Sequence, residues 1–83
     1  MERQNNLTFS TDNFQLAAYL LAESCKLLLV DKLNPRRSVF VFEESEKRKE
    51  LAQKFISYQG FVEPHRFFSA QKDLKQLIYS NES

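Results

Sequence analysis

Blocks of apolar and polar positions divide the chain into a series of strands and helices. Residues 7–10 alternate between apolar and polar, which predicts a short strand. Helix-capping residues follow, and with Asp12 as the N-cap, Gln15 stands three residues later, as a capping box requires. The helix runs to about Ser24 and is apolar around most of its circumference, so it is predicted to be buried on several sides, with Leu20 in the core.

A β-hairpin is predicted next. Residues 26–30 and 39–42 are rich in strand-forming residues, and the stretch 31–38 between them contains Asn34-Pro35, a strong turn signal. The hairpin is therefore expected to end in a long, basic, exposed tip. Both strands are apolar without alternation, which is typical of strands covered on both sheet faces.

A second helix is predicted to open with Glu43-Glu44-Ser45-Glu46, whose carboxylates are favoured at the positive end of the helix dipole. One face is apolar at helical spacing, at Leu51, Ala52, Phe55 and Ile56. The opposite face pairs acids with bases four residues later, at Glu43–Lys47, Glu44–Arg48 and Glu50–Lys54. Gly60 is predicted to end this helix in the left-handed conformation.

A third helix completes the pattern. Residues 61–63 form a candidate short edge strand, and Pro64 fits the first position of the helix that follows, where its missing N–H is not needed. Apolar residues then recur at spacings of three and four as far as about Tyr79, namely Phe67, Phe68, Ala70, Leu74, Leu77 and Ile78. This spacing predicts an amphipathic helix.

The order β-α-β-β-α-(β)-α predicts a two-layer α+β domain, with helices on a small antiparallel sheet. If the bracketed strand forms, the order is that of a ferredoxin-like fold with an extra C-terminal helix. That helix would cover the open sheet face or pack on a second copy; we favour the second copy, because so short a chain has difficulty burying three apolar helix faces. The domain is expected to span residues 7–80, with 1–6 disordered and 81–83 frayed.

Composition narrows the class of protein. The 83 residues are 42% hydrophobic and 28% charged, which argues against disorder, and the net charge of +1 argues against a strongly basic nucleic-acid coat protein. A chain this short forms one domain without room for a walled catalytic cavity. The lone Cys25 excludes an internal disulfide and favours the cytoplasm. The apolar stretches are too short to span a bilayer, and residues 1–6 lack the apolar run of a signal peptide.

The segment from Phe9 to Leu20 resembles a family of small proteins of unknown function from phages, mobile elements and bacteria. The likeness continues in the aromatic strand residues Phe40 and Phe42 and in the final helix at 74–77, and it spans most of the chain. The family pattern has a glycine after the first helix, where this chain has Ser-Cys. The resemblance implies a fold and no activity, so it assigns no catalytic residue.

Three groups of residues could in principle take part in catalysis or metal binding, and for each of them we favour a purely structural role. His65 could act as a general base, but a solvent-exposed histidine at a helix start is the favoured interpretation. Cys25 is predicted to fill the core as a small apolar side chain rather than to act as a nucleophile. The glutamates at 43–50 are interleaved with bases and are interpreted as a solvated, salt-bridged face rather than a metal site. We therefore predict no catalytic residue, no metal and no cofactor.

The hairpin tip carries the candidate contact residues for a partner. Lys32, Arg36 and Arg37 crowd this tip, and Phe40 and Phe42 alternate along the strand that follows. Basic residues followed by alternating aromatics are similar to the pattern of RNA-recognition modules, although the glycine and most aromatics of that signature are missing. Core packing is favoured for Phe40, and base stacking is the alternative.

These observations predict a non-enzymatic interaction or assembly module that associates with itself or with another protein. The alternative is a weak nucleic-acid-binding accessory protein of phage or mobile-element origin, with Lys32, Arg36, Arg37 and Phe40 as the contacts. No membrane partner is predicted.

Overall fold

The computed structural model describes residues 7–34 and 36–79, and it shows a small α+β domain. Its elements within these residues are β1 Thr8–Thr11, α1 Phe14–Ala22, β2 Leu27–Asn34, β3 Arg37–Glu43, α2 Glu46–Ile56 and α3 Pro64–Tyr79. The predicted fold class is therefore confirmed. The segments expected to be disordered, 1–6, and frayed, 81–83, lie outside the described residues.

The strands form one antiparallel sheet in the order β1-β3-β2, with β3 in the centre. Phe40 and Phe42 of β3 are buried on one face, which we call the inner sheet face. Phe9 pairs with Phe42 from β1, while Leu27 and Val30 pair with Phe42 and Phe40 from β2. Because strand side chains alternate between faces, these residues share the inner sheet face and supply the sheet's part of the core.

The helices form the second layer. α1 packs against both α2 and α3, and each helix contributes a buried leucine to the core, namely Leu20, Leu51 and Leu74. Leu20 is fully buried, which confirms its predicted place in the core. The backbone extends 39 by 36 by 18 Å, and the short dimension fits a single helical layer on a single sheet.

No helix within residues 7–34 and 36–79 covers the other face of the sheet. α3 packs mainly against α1, within the helical layer, and it touches the sheet at β2. The helices of one copy join the core on the inner sheet face only, so α3 does not close the open face of the sheet, and its cover by a second copy stays a prediction. Leu29, which points to the opposite face, is 53% exposed.

The cap of α1 is Asn13 and not Asp12 as predicted. Asn13 Oδ1 accepts a hydrogen bond from the backbone N–H of Leu16 at 3.0 Å, which satisfies a donor of the first turn. The carboxylate of Asp12 is instead 2.9 Å from Nε of Arg37, at the end of the hairpin. The capping box expected with Asp12 does not form, because the third residue after Asn13 is Leu16, and the N–H of Asn13 donates to Thr11 Oγ1 at 3.1 Å instead.

The hairpin tip is much shorter than predicted. β2 continues to Asn34 and β3 begins at Arg37, and these two residues pair with each other. The register shifts between Asp31 and Asn34, which shows a bulge or irregularity in β2, and Asn34 Oδ1 accepts from the N–H of Arg36 at 2.9 Å. Strand pairing thus absorbs most of the segment that was predicted to be an exposed loop.

The candidate edge strand at 61–63 does not form. Val62 packs against the core, and Glu63 Oε1 accepts from the N–H of Arg66 at 3.0 Å, so Glu63 caps α3 instead of pairing with a strand. Within the described residues the sheet has three strands, so the fourth strand of a ferredoxin-like fold is missing, while β3 lies between β1 and β2 as in a split β-α-β unit.

Gly60 has a different role from the one predicted. The glycine does not have a positive φ, and α2 has already ended at Ile56. A Cβ on Gly60 would lie 2.8 Å from the hydroxyl oxygen of Tyr19, which is itself buried. Glycine is needed here because the loop passes directly over the tyrosine ring.

Two helix ends place ordinary residues in the left-handed region where glycine is favoured. Ser24, after α1, has a φ of 73°, and Tyr58, after α2, has a φ of 61°. At both ends, two backbone N–H groups donate back to the last turn over 2.8–3.2 Å, which is the pattern of a Schellman motif. The hydrogen bonds hold Ser24 and Tyr58 in the left-handed conformation, and the Cβ atom of each residue is unfavourable there, so both positions are strained.

Replacing Ser24 or Tyr58 with glycine is expected to raise the free energy of unfolding by roughly 0.5–1 kcal/mol each, because glycine relieves the left-handed strain. Urea denaturation followed by circular dichroism would measure this change. Ser57→Gly is the matched control, since Ser57 has a φ of −90° and glycine there should lower stability. Equal effects at Ser24 and Ser57 would contradict the assignment.

Candidate interaction surfaces

The three basic residues of the predicted tip do not form one cluster. Lys32 Nζ donates to the carbonyl oxygens of Leu77 and Ile78 at 3.0 and 3.4 Å, where it stabilises the negative end of α3. Arg37 pairs with Asp12, which follows β1 on the opposite edge of the sheet. Lys32 and Arg37 are therefore directed to opposite edges of the sheet, although all three basic side chains are exposed.

Phe40 belongs to the core. Its exposure is 2%, and its ring meets that of Phe14 edge to face at a centroid distance of 6.2 Å. The favoured interpretation of Phe40 is confirmed. A base cannot stack on it, because no face of the ring reaches solvent.

The uncovered side of the sheet is the first candidate surface. We call it the outer sheet face, and by strand alternation it consists of Thr8, Ser10, Leu29, Asp31, Arg37, Val39, Val41 and Glu43. Leu29 stands directly opposite Val41, and Val39 lies two residues along the same strand. Along β3 the centre of the face is apolar, with Arg37 and Glu43 at the ends of the strand, and Asp31 of β2 stands opposite Val39.

The second candidate surface lies on α3. We call it the α3 stripe, and it consists of Phe68, Lys72, Lys75 and Tyr79. Together with Gln71 and Gln76, these four side chains line an open groove of about 480 Å³. Phe68 is 65% exposed and Tyr79 is 77% exposed.

The stripe was not predicted from the sequence, because the spacing of the apolar residues put Phe68 on the buried face of the third helix. Phe67 packs against the core, and a helix turns about 100° per residue, so Phe68 points away from it. The spacing of 68, 72, 75 and 79, read as one helical face, is the signal that could have identified the stripe.

His65 is solvent-exposed, as predicted, with 92% of its side chain accessible. It borders a groove between α1 and α3 together with Ser69 and Asp73, which follow it at four-residue intervals. Its Nδ1, however, is 3.1 Å from Oε2 of Glu63. Hydrogen bonds from His65 and Arg66 lower the pKa of the Glu63 carboxyl. The Glu63 carboxylate, with which His65 pairs, therefore stabilises the N-terminus of α3.

Cys25 is buried in the core cluster, which confirms its predicted packing role. Burial raises the pKa of its thiol, and the opposing effect of Lys47 and Arg48 is smaller. The thiol is therefore protonated at neutral pH, which disfavours nucleophilic attack.

Glu44 and Arg48 form a partly buried cluster that the sequence analysis had assigned to a solvated face. The guanidinium donates to both carboxylate oxygens of Glu44, at 2.7 and 2.6 Å, and lies 3.8 Å from the ring centroid of Phe9. The side chain of Arg48 is only 11% exposed and that of Glu44 18%. The hydrogen bond from Arg48 lowers the pKa of the Glu44 carboxyl. This cluster fastens α2 to β1.

Two further features concern metal and membrane binding. Across residues 7–34 and 36–79, no three His, Cys, Asp or Glu side chains are grouped so that they could hold one metal ion. In the same residues, no helix combines the length and apolar character needed to cross a membrane.

Comparison with known proteins places the chain in a family. No curated protein and no solved structure matches it. A family model matches residues 6–80, which include all the helices and strands described above. The chain therefore belongs to the family described as Domain of unknown function (DUF5659).

Proposed function

We propose that this domain is a non-enzymatic interaction module that associates with a second copy of itself through the outer sheet face. The observation that carries this proposal is the uncovered sheet, with Leu29 53% exposed opposite Val41. Exposed apolar surface of this kind is stabilised when it is buried against a partner. Sheets stack face to face at about 10 Å, so a second sheet is a natural cover.

The charge pattern of β3 supports a second copy as the partner. Along the outer sheet face, β3 reads Arg37, Val39, Val41 and Glu43, which is basic at one end, apolar in the middle and acidic at the other. A twofold axis across the middle of β3 would reverse one strand against the other. Arg37 of each copy would then face Glu43 of its partner, while the valines meet at the centre.

The size of the face indicates a weak dimer. β3 is about 24 Å long and the three strands together are about 14 Å wide, which gives a footprint of roughly 340 Å² per copy. Stable complexes bury about 800 Å² per partner. We therefore expect association at tens to hundreds of micromolar protein, and the net charge of +1 means that two copies repel each other little.

A non-enzymatic role is supported by the two residues with the most plausible catalytic chemistry. Cys25 is buried with a raised thiol pKa, and His65 has Glu63 as its partner. The single thiol also supports placing the module in the reducing environment of the cytoplasm.

Leu29→Glu is expected to keep the protein monomeric at every concentration, because it would bury an unpaired charge in the interface. Sedimentation equilibrium over the micromolar range would measure the association. Leu33→Glu is the matched control, since Leu33 is 91% exposed near the hairpin turn and outside the outer sheet face. A wild-type protein that is monomeric throughout, or equal weakening by both variants, would overturn the proposal.

A charge exchange tests the twofold arrangement in the same measurement. Glu43→Arg alone should weaken the dimer, because two arginines would then face each other across the axis. Arg37→Glu alone should weaken it too, and it also removes the ion pair with Asp12 within each copy. The double variant should restore association, since each pair is complementary again. A double variant that is weaker than either single variant would overturn the arrangement.

A further inference from the structure

The α3 stripe has the chemistry of a binding surface for an anion. Its four residues fall within about 60° of the helix circumference at 100° per residue, so all face the same way. Lys72 and Lys75 lie between the two aromatic rings, and among the described residues no acidic side chain lines this groove. Asp73 borders the adjoining groove, which shares Tyr79. The two rings are about 16 Å apart along the axis.

From this arrangement we infer that the α3 stripe binds single-stranded nucleic acid. Phe68 and Tyr79 are the stacking platforms for bases, and Lys72 and Lys75 contact the phosphates between them. This inference concerns a surface on the helical layer and is independent of the dimer proposed for the outer sheet face.

The shape of the groove favours a nucleic acid over an acidic peptide. Peptides and proteins that bind tightly insert apolar anchors into closed pockets. Here the rings are exposed by 65% and 77% at the surface, so their flat faces are available and there is no deep pocket to fill. Flat bases use such faces directly, whatever their sequence.

The spacing also fits a short single strand. Stacked bases rise about 3.4 Å each, so the two rings are about five stacked steps apart, and fewer steps are needed where the strand is stretched. A duplex fits less well, because its bases are stacked on each other and cannot reach the rings. We therefore expect single strands to bind better than the matching duplex, with little dependence on sequence.

The lysines are tested by the salt dependence of binding. Fluorescence anisotropy with a labelled twelve-nucleotide oligothymidine should give a slope of log K against log salt of roughly −1.4 for two phosphate contacts. Lys72→Ala with Lys75→Ala should bring this slope close to zero. Lys47→Ala with Lys54→Ala, on α2, removes the same charge elsewhere and should leave the slope unchanged. Equal loss in both double variants would overturn the inference.

The aromatic residues are tested with matched exposed partners. Phe68→Ala and Tyr79→Ala should each weaken binding by roughly 5- to 150-fold, which corresponds to the loss of one stacked base. Phe61→Ala and Tyr58→Ala are the controls, because Phe61 is 88% exposed and Tyr58 is 96% exposed outside the groove. Melting temperatures of all four variants should stay near that of the wild type, since each removes an exposed ring.

Other ligands define the opposing outcomes. Labelled polyglutamate that binds as tightly as the oligothymidine would overturn the inference, because it would show a cationic patch without base recognition. A duplex that binds better than the single strand would overturn it as well. Absence of oligothymidine binding at low salt would do the same, while leaving the self-association measured by sedimentation unaffected.

Discussion

Replacing Phe40 with alanine is expected to lower the free energy of unfolding by about 3–5 kcal/mol. The ring is 2% exposed at the centre of the middle strand and packs edge to face on Phe14, so its removal leaves a cavity between the sheet and α1. Small domains have about 5–15 kcal/mol of stability in total, and this loss is a large share of it. Urea denaturation at neutral pH, followed by circular dichroism, measures the change.

Phe61→Ala is the control for this substitution. It removes the same ring from a position that is 88% exposed, and it should change stability by less than about 0.5 kcal/mol. A loss below about 1 kcal/mol for Phe40→Ala would contradict the core described here, because replacing a buried phenylalanine with alanine lowers the free energy of unfolding by more than that.

Elements with a strong hydrophobic period could be predicted from the sequence. The strand around Phe9, the helix carrying Leu20 and the amphipathic helix after Pro64 all lie where their patterns placed them. In each case the apolar positions must be buried for the chain to fold, so the pattern of apolar residues predicts which side chains form the core. Leu20 and Leu74 are both fully buried in the structure.

Predictions that depended on a choice among competing local partners were wrong. Asp12 and Asn13 can both cap a helix, and the choice depends on Arg37, which lies far along the chain. Gly60 was interpreted through its backbone freedom, whereas its position is determined by the ring of Tyr19. Such tertiary contacts leave no periodic trace in the sequence.

For the candidate surfaces as well, hydrophobic spacing could be read from the sequence, but tertiary contacts could not. The outer sheet face could not be predicted, because the apolar runs of β2 and β3 looked alike on both faces before the helices were placed. The basic tip was predicted from proximity in sequence, but Lys32 and Arg37 are directed to different edges by their partners. The α3 stripe could have been predicted, because residues 68, 72, 75 and 79 share one face of the helix. It was not, because Phe68 was assigned to the buried apolar face.

Replacing Glu44 with glutamine is expected to lower the free energy of unfolding by about 2–4 kcal/mol at neutral pH. It removes the carboxylate that pairs with Arg48, whose side chain is 11% exposed, and so leaves a cation nearly buried against Phe9. Glu46→Gln, two residues further along in the first turn of α2, is the matched control. Glu46 is 87% exposed and pairs with Lys49 at 3.3 Å, so its replacement should change stability by less than about 0.5 kcal/mol.

The effect of Glu44→Gln should disappear in acid. The hydrogen bond from Arg48 lowers the pKa of Glu44 from its ordinary value of 4.5, and Lys49 acts in the same direction. The folded state therefore binds this proton less tightly than the unfolded state, and the pair stabilises the fold fully above pH 4.5. Its contribution is lost as pH falls through the lower pKa of the folded state.

Urea denaturation of the wild type and the variant at a series of pH values should thus give curves that converge below pH 4.5. A difference that stays constant down to pH 2 would contradict a role for the Glu44 charge, because that charge must titrate. A difference near zero at neutral pH would mean that the ring of Phe9 holds Arg48 without the carboxylate, because both proteins keep the cation–π contact.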